Sequence, residues 1–195
     1  MEAELDLDRQ DTARLRRGDL TGLDGLMARH QDRLFRYLRR LLGDETVAED
    51  LFQQTWVRVA ERARRYDPSR PFRPWLLAVA HNLALDHLRR RRPESLDDGD
   101  GAARPLTRAL GSPGPFDPLA HLATRERRER LEAALAGLGP RDREAIALRF
   151  QEELPLAEIA RVLGVPVPTA KARLYRALER LRERVLAGGP REEWA

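Results

Sequence analysis

Four side chains of unlike chemistry, Trp75, Asn82, Asp86 and Arg89, fall on one face if residues 75–92 (WLLAVAHNLALDHLRRRR) are wound as a helix of ~3.6 residues per turn. An indole stacks, an amide exchanges hydrogen bonds, and guanidinium groups attract phosphate. With Arg90, Arg91 and Arg92 following, the combination suits unstacked bases and their backbone. Leu76, Leu77, Ala80, Leu83, Ala84 and Leu88 occupy the other side and read as core, and Pro93 stops the helix. A plainer account also fits the same residues: Trp75 closes a core, Asn82 and Asp86 are solvated, and the arginines complement the helix dipole.

The preceding segment, 66–74 (YDPSRPFRP), is too rich in proline to be predicted as helix. It sets Tyr66 and Phe72 beside Arg70 and Arg73. Such a loop is either a pocket wall for a flipped base or a strap whose aromatics anchor it to the core. A helix over 45–65 comes before it, with Asp44 as N-cap and Ala48, Leu51, Phe52, Thr55, Trp56 and Val59 at i, i+3, i+4 spacing. Asp50, Gln53, Gln54 and Arg58 lie opposite. By themselves they read first as a solvated face and only second as a surface that docks a protein.

Towards the C-terminus, helices are expected over 119–138, 141–151, 156–163 and 167–185. The last two are separated only by Gly164, Val165 and Pro166, the tight turn of a helix-turn-helix. Leu156, Ile159 and Leu163 should point inward against a stripe of Val167, Ala170, Leu174, Ala177 or Leu178, and Leu181. Pro168, Thr169, Lys171, Ala172, Arg173, Arg176 and Arg180 are then left outward or at the flank, a cationic helix face that fits a DNA major groove.

These faces belong to a chain of 195 residues, 42% hydrophobic and 35% charged, with a formal net charge of +4. That composition supports packed cores. With no cysteine, disulfides, thiolate catalysis and cysteine-bound zinc are excluded. His30, His81, His87 and His121 show no i, i+4 pair and read as surface or half-buried residues, so neither a metal nor another cofactor is expected. The start, Met1 to Asp8, is acidic without the basic and apolar stretches of a signal peptide, and no apolar run spans a bilayer. A cytoplasmic location without stable membrane insertion is the expectation. Asp44, Glu45, Glu49 and Asp50 raise a metal-dependent nuclease as an alternative. Acids at a helix N-terminus also arise from capping, and no histidine or lysine stands near to assist.

Helical periodicity lapses between Pro93 and Pro118, where prolines, glycines and Asp97, Asp98, Asp100 and Asp117 dominate. The predicted fold is therefore all-α, two small helical domains (1–92 and 119–187) joined by a flexible acidic linker (93–118), the second containing the helix-turn-helix, with a tail at 188–195.

Three segments in this order, AEDLFQQTW (48–56), FRPWLLAVAHNLALDHLRRRR (72–92) and LAEIARVLGVPVPTAKARLYRALERLR (156–182), resemble the sigma factors of bacterial RNA polymerase. They look most like the extracytoplasmic-function (ECF) group, which keeps only the second and fourth regions of the sigma-70 family. The resemblance covers nearly the whole chain and implies a non-enzymatic protein that directs promoter-specific initiation. Its implied partners are core RNA polymerase, promoter DNA and an anti-sigma factor. It assigns Asp50, Gln53 and Gln54 to docking on the polymerase clamp helices. Tyr66, Arg70, Phe72, Trp75, Asn82, Asp86, Arg89 and Arg90 are assigned to recognising and melting the minus-10 element, and Thr169, Lys171, Arg173 and Arg176 to the minus-35 element. One departure is visible: relatives commonly read glycine-threonine-valine-lysine-serine-arginine where this chain has Pro168, Thr169, Ala170, Lys171, Ala172 and Arg173, so a serine hydroxyl is missing at position 172. Two rivals remain, a stand-alone helix-turn-helix regulator, which leaves the N-terminal block without a task, and a sigma mimic, which has no need of the arginines at 89–92 and 176.

Overall fold

The computed structural model describes residues 2–91 and 118–187, with side chains over 4–90 and 127–187. The expected linker, apart from Pro118, and the tail lie outside the described residues. Eight α-helices follow in order: α1 (Glu2–Arg16), α2 (Thr21–Leu42), α3 (Glu45–Arg62), α4 (Phe72–Arg91), α5 (Pro118–Ala136), α6 (Pro140–Phe150), α7 (Leu156–Val162) and α8 (Val167–Ala187). One 3-10 turn, Ala63–Arg65, extends α3, and no strand occurs among the described residues.

Local chemistry sets the ends of these helices. Gly43 stops α2 in the left-handed conformation (φ 69°), and one residue later the Asp44 carboxylate accepts the Val47 N–H at 3.2 Å to open α3. The turn between α7 and α8 is a Schellman motif. Gly164 (φ 62°) sits at its left-handed position, with Val165 N–H on the Ala160 carbonyl (3.0 Å) and Gly164 N–H on that of Arg161 (3.3 Å). Against the sequence expectation, α4 begins at Phe72, inside the proline-rich stretch. Pro74 is its third residue, where a missing N–H costs nothing because the first turn has no acceptor for it.

The close approach of α1 to α2 depends on small residues. A Cβ on Gly22 would stand 2.2 Å from the Asp11 carbonyl oxygen, and one on Gly25 would stand 2.2 Å from the Asp11 carboxylate. Once the helices are that close, Arg29 bridges Asp8 (2.9 Å) and Asp11 (2.8 Å), and His30 Nε2 meets Asp8 at 2.9 Å. Burial of Asp8, Asp11 and His30 is tolerated because each charge or dipole faces an opposite one.

The predicted inward faces are mostly inward. Ala48, Leu51, Thr55, Trp56 and Val59 of α3 and Leu76, Leu77, Ala80 and Ala84 of α4 are all buried. In the helix-turn-helix, Ile159, Ala160, Leu163, Ala170, Leu174 and Ala177 are buried, but Val167, expected inside, is 44% exposed at the first position of α8, where no preceding turn covers it. The two halves do not stand apart. α6 packs on α2 and α7 on α4, so Leu148, Leu154, Ile159, Val162 and Leu163 join one continuous core with Tyr37, Leu38, Leu41, Leu76 and Leu77. A smaller core of Leu138, Ala145, Ile146, Leu174 and Ala177 belongs to the C-terminal half alone.

Candidate nucleic-acid interfaces

The α4 face divides into a wet part and a dry part. Asn82, Asp86, Arg89 and Arg90 are exposed, and Arg89 lies 3.7 Å from Asp86 in an ion pair open to solvent on both sides. Such a pair is worth little to stability and exchanges readily for a phosphate or base edge. The aromatics sit elsewhere. Tyr66 (4% exposed) and Phe72 (1%) are in the core, the placement expected of a strap whose aromatics anchor the loop, and Trp75 is half-buried. They stack on one another: Tyr66–Trp75 at 4.9 Å, Phe72–Trp75 at 5.7 Å and Tyr66–Phe72 edge-on at 5.8 Å, with His30 of α2 closing the group at 5.3 Å from Phe72.

The loop from Tyr66 to Pro71 is held from within. Asp67 accepts the Ser69 N–H (3.0 Å) and hydroxyl (2.7 Å), and the Tyr66 hydroxyl donates to the Arg70 carbonyl. Those Ser69 hydrogen bonds pull the Asp67 carboxyl below its ordinary range, while burial, with Asp8 and Asp67 nearby, pushes the Tyr66 hydroxyl up to about 12. Arg70 remains exposed at 3.2 Å from Asp67. Beside it a small cleft is lined by Tyr66, Ser69, Arg70 and Pro71 of the loop and by Leu5 and Arg9 of α1.

On α8, Thr169, Lys171 and Arg176 are exposed and Arg173 is half-buried. Sequence reasoning missed Tyr175, which is 60% exposed with the Lys171 ammonium 5.8 Å from its ring centroid. The signal was its i+4 spacing from Lys171, one turn along the same face. Asp50, Gln53 and Gln54 of α3 are exposed on the side away from its buried stripe. None of these three polar faces is brought into a common cluster with another. The structure does, however, gather one polar group that the sequence did not suggest. His81 of α4, read as a surface or half-buried residue, is 3% exposed and pairs with Glu144 of α6, which also receives the Tyr37 hydroxyl of α2.

Residues 26–94 match the model of sigma-70 region 2, and residues 128–181 match that of sigma-70 region 4. The chain is 34% identical over 170 residues to the RNA polymerase sigma factor CarQ of Myxococcus xanthus, covering 87% of this chain and 92% of that one. It is 30% identical to the ECF RNA polymerase sigma factor SigC of Mycobacterium tuberculosis, covering 85% and 84%. Among solved structures, CnrH in complex with the cytosolic domain of CnrY aligns with a TM-score of 0.66 at 27% identity, covering 94% of this chain and 99% of that one. The chain belongs to the ECF group of the sigma-70 family of RNA polymerase sigma factors. Its function is to direct promoter-specific initiation of transcription.

Proposed function

We propose that the three exposed faces divide the work of initiation. Asp50, Gln53 and Gln54 dock on core polymerase; Arg70, Trp75, Asn82, Asp86, Arg89 and Arg90 take the minus-10 element; and Thr169, Lys171, Arg173 and Arg176, joined by Tyr175, take the minus-35 element. The observation that carries this reading is that polar side chains capable of recognition stay in solvent on α3, α4 and α8 while the opposite face of each helix is core. Tyr66 and Phe72 serve as buttresses. They fix the loop and the indole of Trp75, and do not themselves stack on DNA.

The energetics of melting fit this smaller set. Opening duplex DNA costs a mean of ~1.4 kcal/mol per base step, and stacking one base on an aromatic ring returns ~1 to 3 kcal/mol. Trp75 alone therefore balances about one or two steps, and hydrogen bonds from Asn82 with phosphate contacts from Arg89 and Arg90 must supply the rest. The chain performs no catalysis itself and acts in the cytoplasm, where polymerase is. No described helix is long and apolar enough to cross a membrane. An anti-sigma factor, implied by the family resemblance, is its proposed regulator.

Asn82→Ala is expected to reduce permanganate-reactive open complex while core binding stays unchanged; equal loss of both would overturn the assignment. Arg176→Ala is expected to weaken binding of a minus-35 duplex by about 1–3 kcal/mol, roughly five- to 150-fold. Unchanged affinity would remove Arg176 from the site.

A further inference from the structure

The stretch that matches sigma-70 region 2 begins at residue 26, and α1 precedes it. The buried face of α1 nonetheless reaches the back of the aromatic group beside the α4 surface. Asp8, buried on that face, makes the contact. Its carboxylate oxygens lie 3.0 and 2.9 Å from His30 Nε2 of α2, and the first also accepts Arg29 Nε at 2.9 Å. The other ring nitrogen of His30, Nδ1, is buried and has no hydrogen-bonding partner among the described residues. Nε2 therefore carries the ring hydrogen and donates it to Asp8. No second hydrogen bond fixes the rotation of this imidazole.

We propose that Asp8 and His30 are positioning residues for promoter melting, holding the Trp75 indole from behind through Phe72. The path is short. The His30 ring lies 5.3 Å from that of Phe72, and Phe72 lies 5.7 Å from Trp75, while Tyr66 closes the other side of the indole at 4.9 Å. Of these rings only Trp75 is partly open to solvent. The Tyr66 ring is tied by its hydroxyl to the Arg70 carbonyl. Phe72 has no such handle, so the plane of its ring is set by what packs on it. The imidazole supplies that surface, and Asp8 sets the plane of the imidazole. Gly22, with no Cβ to meet the Asp11 carbonyl, lets α1 come close enough for the carboxylate to reach.

An indole that must stack on an unpaired base works best when it already stands in the stacking pose. Ordering a loose side chain at the moment of capture weakens binding by roughly two- to tenfold. Because Trp75 is the one ring of the group that solvent reaches, no neighbour shares that loss. The joint between α1 and α2 does not depend on Asp8 alone, since Arg29 also pairs with Asp11 at 2.8 Å. Removing the Asp8 carboxylate therefore frees the imidazole while one ion pair still holds the helices together.

The proposal rests on the reading of Trp75 as a base-stacking residue, and the experiment separates the two. Full-length protein is labelled with 5-fluorotryptophan, and Trp56→Phe and Trp75→Ala versions assign the fluorine resonances of those two positions. Asp8→Ala removes the anchor; His30→Gln keeps a donor for Asp8 but takes the ring away from Phe72. Each is made in the parent and in Trp75→Ala, and permanganate-reactive open complex is measured at saturating core polymerase. Each is expected to lower open complex by about two- to tenfold in the parent and to shift the Trp75 resonance more than that of Trp56. Neither should lower it further once Trp75 is alanine. An equal loss with and without the indole would mean general destabilisation and would overturn the proposal. So would an unmoved Trp75 resonance, or undiminished open complex in the parent background. If Asp8→Ala does not fold, His30→Gln decides by the same outcomes. Open complex at the parental level in Trp75→Ala itself would instead overturn the base-stacking reading of Trp75.

Discussion

At the scale of single residues, burial separates recognition from support. Asn82 and Arg89 are one helix face in water; Tyr66 and Phe72, a few residues earlier, are inside. Burial also raises the pKa of both buried tyrosines: Tyr66 to about 12, and Tyr37 well above its ordinary value, with Glu144 adding to the effect. A phenol whose folded pKa is raised leaves stability unaffected below its unfolded value of ~10 and removes stability as pH rises from there towards the folded value. Urea midpoints of the unsubstituted protein are therefore expected to hold to about pH 10 and fall beyond it, and to fall less steeply in Tyr66→Phe. An identical decline in both would mean that Tyr66 ionises as freely folded as unfolded. The polar character of the α4 face was legible from spacing alone. The burial of Tyr66 and Phe72 was one of two open readings, and that of His81 was not legible, because its partner Glu144 lies far along the chain and local periodicity carries no information about such partners.

At the scale of elements, helix identity followed from periodicity, and the errors came at ends and at close approaches. The proline count hid the start of α4, since the tolerance of a first helical turn for proline depends on where the helix begins. The α3 cap and the α7–α8 turn were readable because Asp44 and Gly164 act on their own neighbours. Gly22 is the opposite case, a residue whose role appears only once α1 is laid across α2. Replacing it with alanine should gain up to ~1 kcal/mol of helix propensity yet lose more by driving a methyl group into the Asp11 carbonyl, for a net loss of about 1–2 kcal/mol. Chemical denaturation of Gly22→Ala checks this, and a stability equal to or above that of the parent would mean α1 gives way at no cost. Gly164→Ala, held at φ 62°, should lose about 1 kcal/mol through strain alone, visible as a lowered Tm.

At the scale of the whole molecule, the sequence reading of two helical modules and a proline-rich, acidic connection leads to the right family, while the packing of one module on the other comes as new information. Nothing in the order of residues announces that α6, only 11 residues long, is buried on nearly every side from Asp142 to Leu148. Its second face is apolar because α2 covers it, and its carboxylate at 144 is tolerable because Tyr37 and His81 await it. The central claim remains that the polar faces left outside this packing are working surfaces, with the one on α3 serving core polymerase. Its most direct test is equilibrium binding of the full-length protein to purified bacterial core RNA polymerase, beside an Asp50→Ala, Gln53→Ala double variant of equal helicity and thermal stability. The account predicts tight binding by the parent and at least about tenfold weaker binding by the variant, a loss of ~1.4 kcal/mol or more. Indistinguishable affinities would contradict it and return Asp50 and Gln53 to an ordinary solvated face.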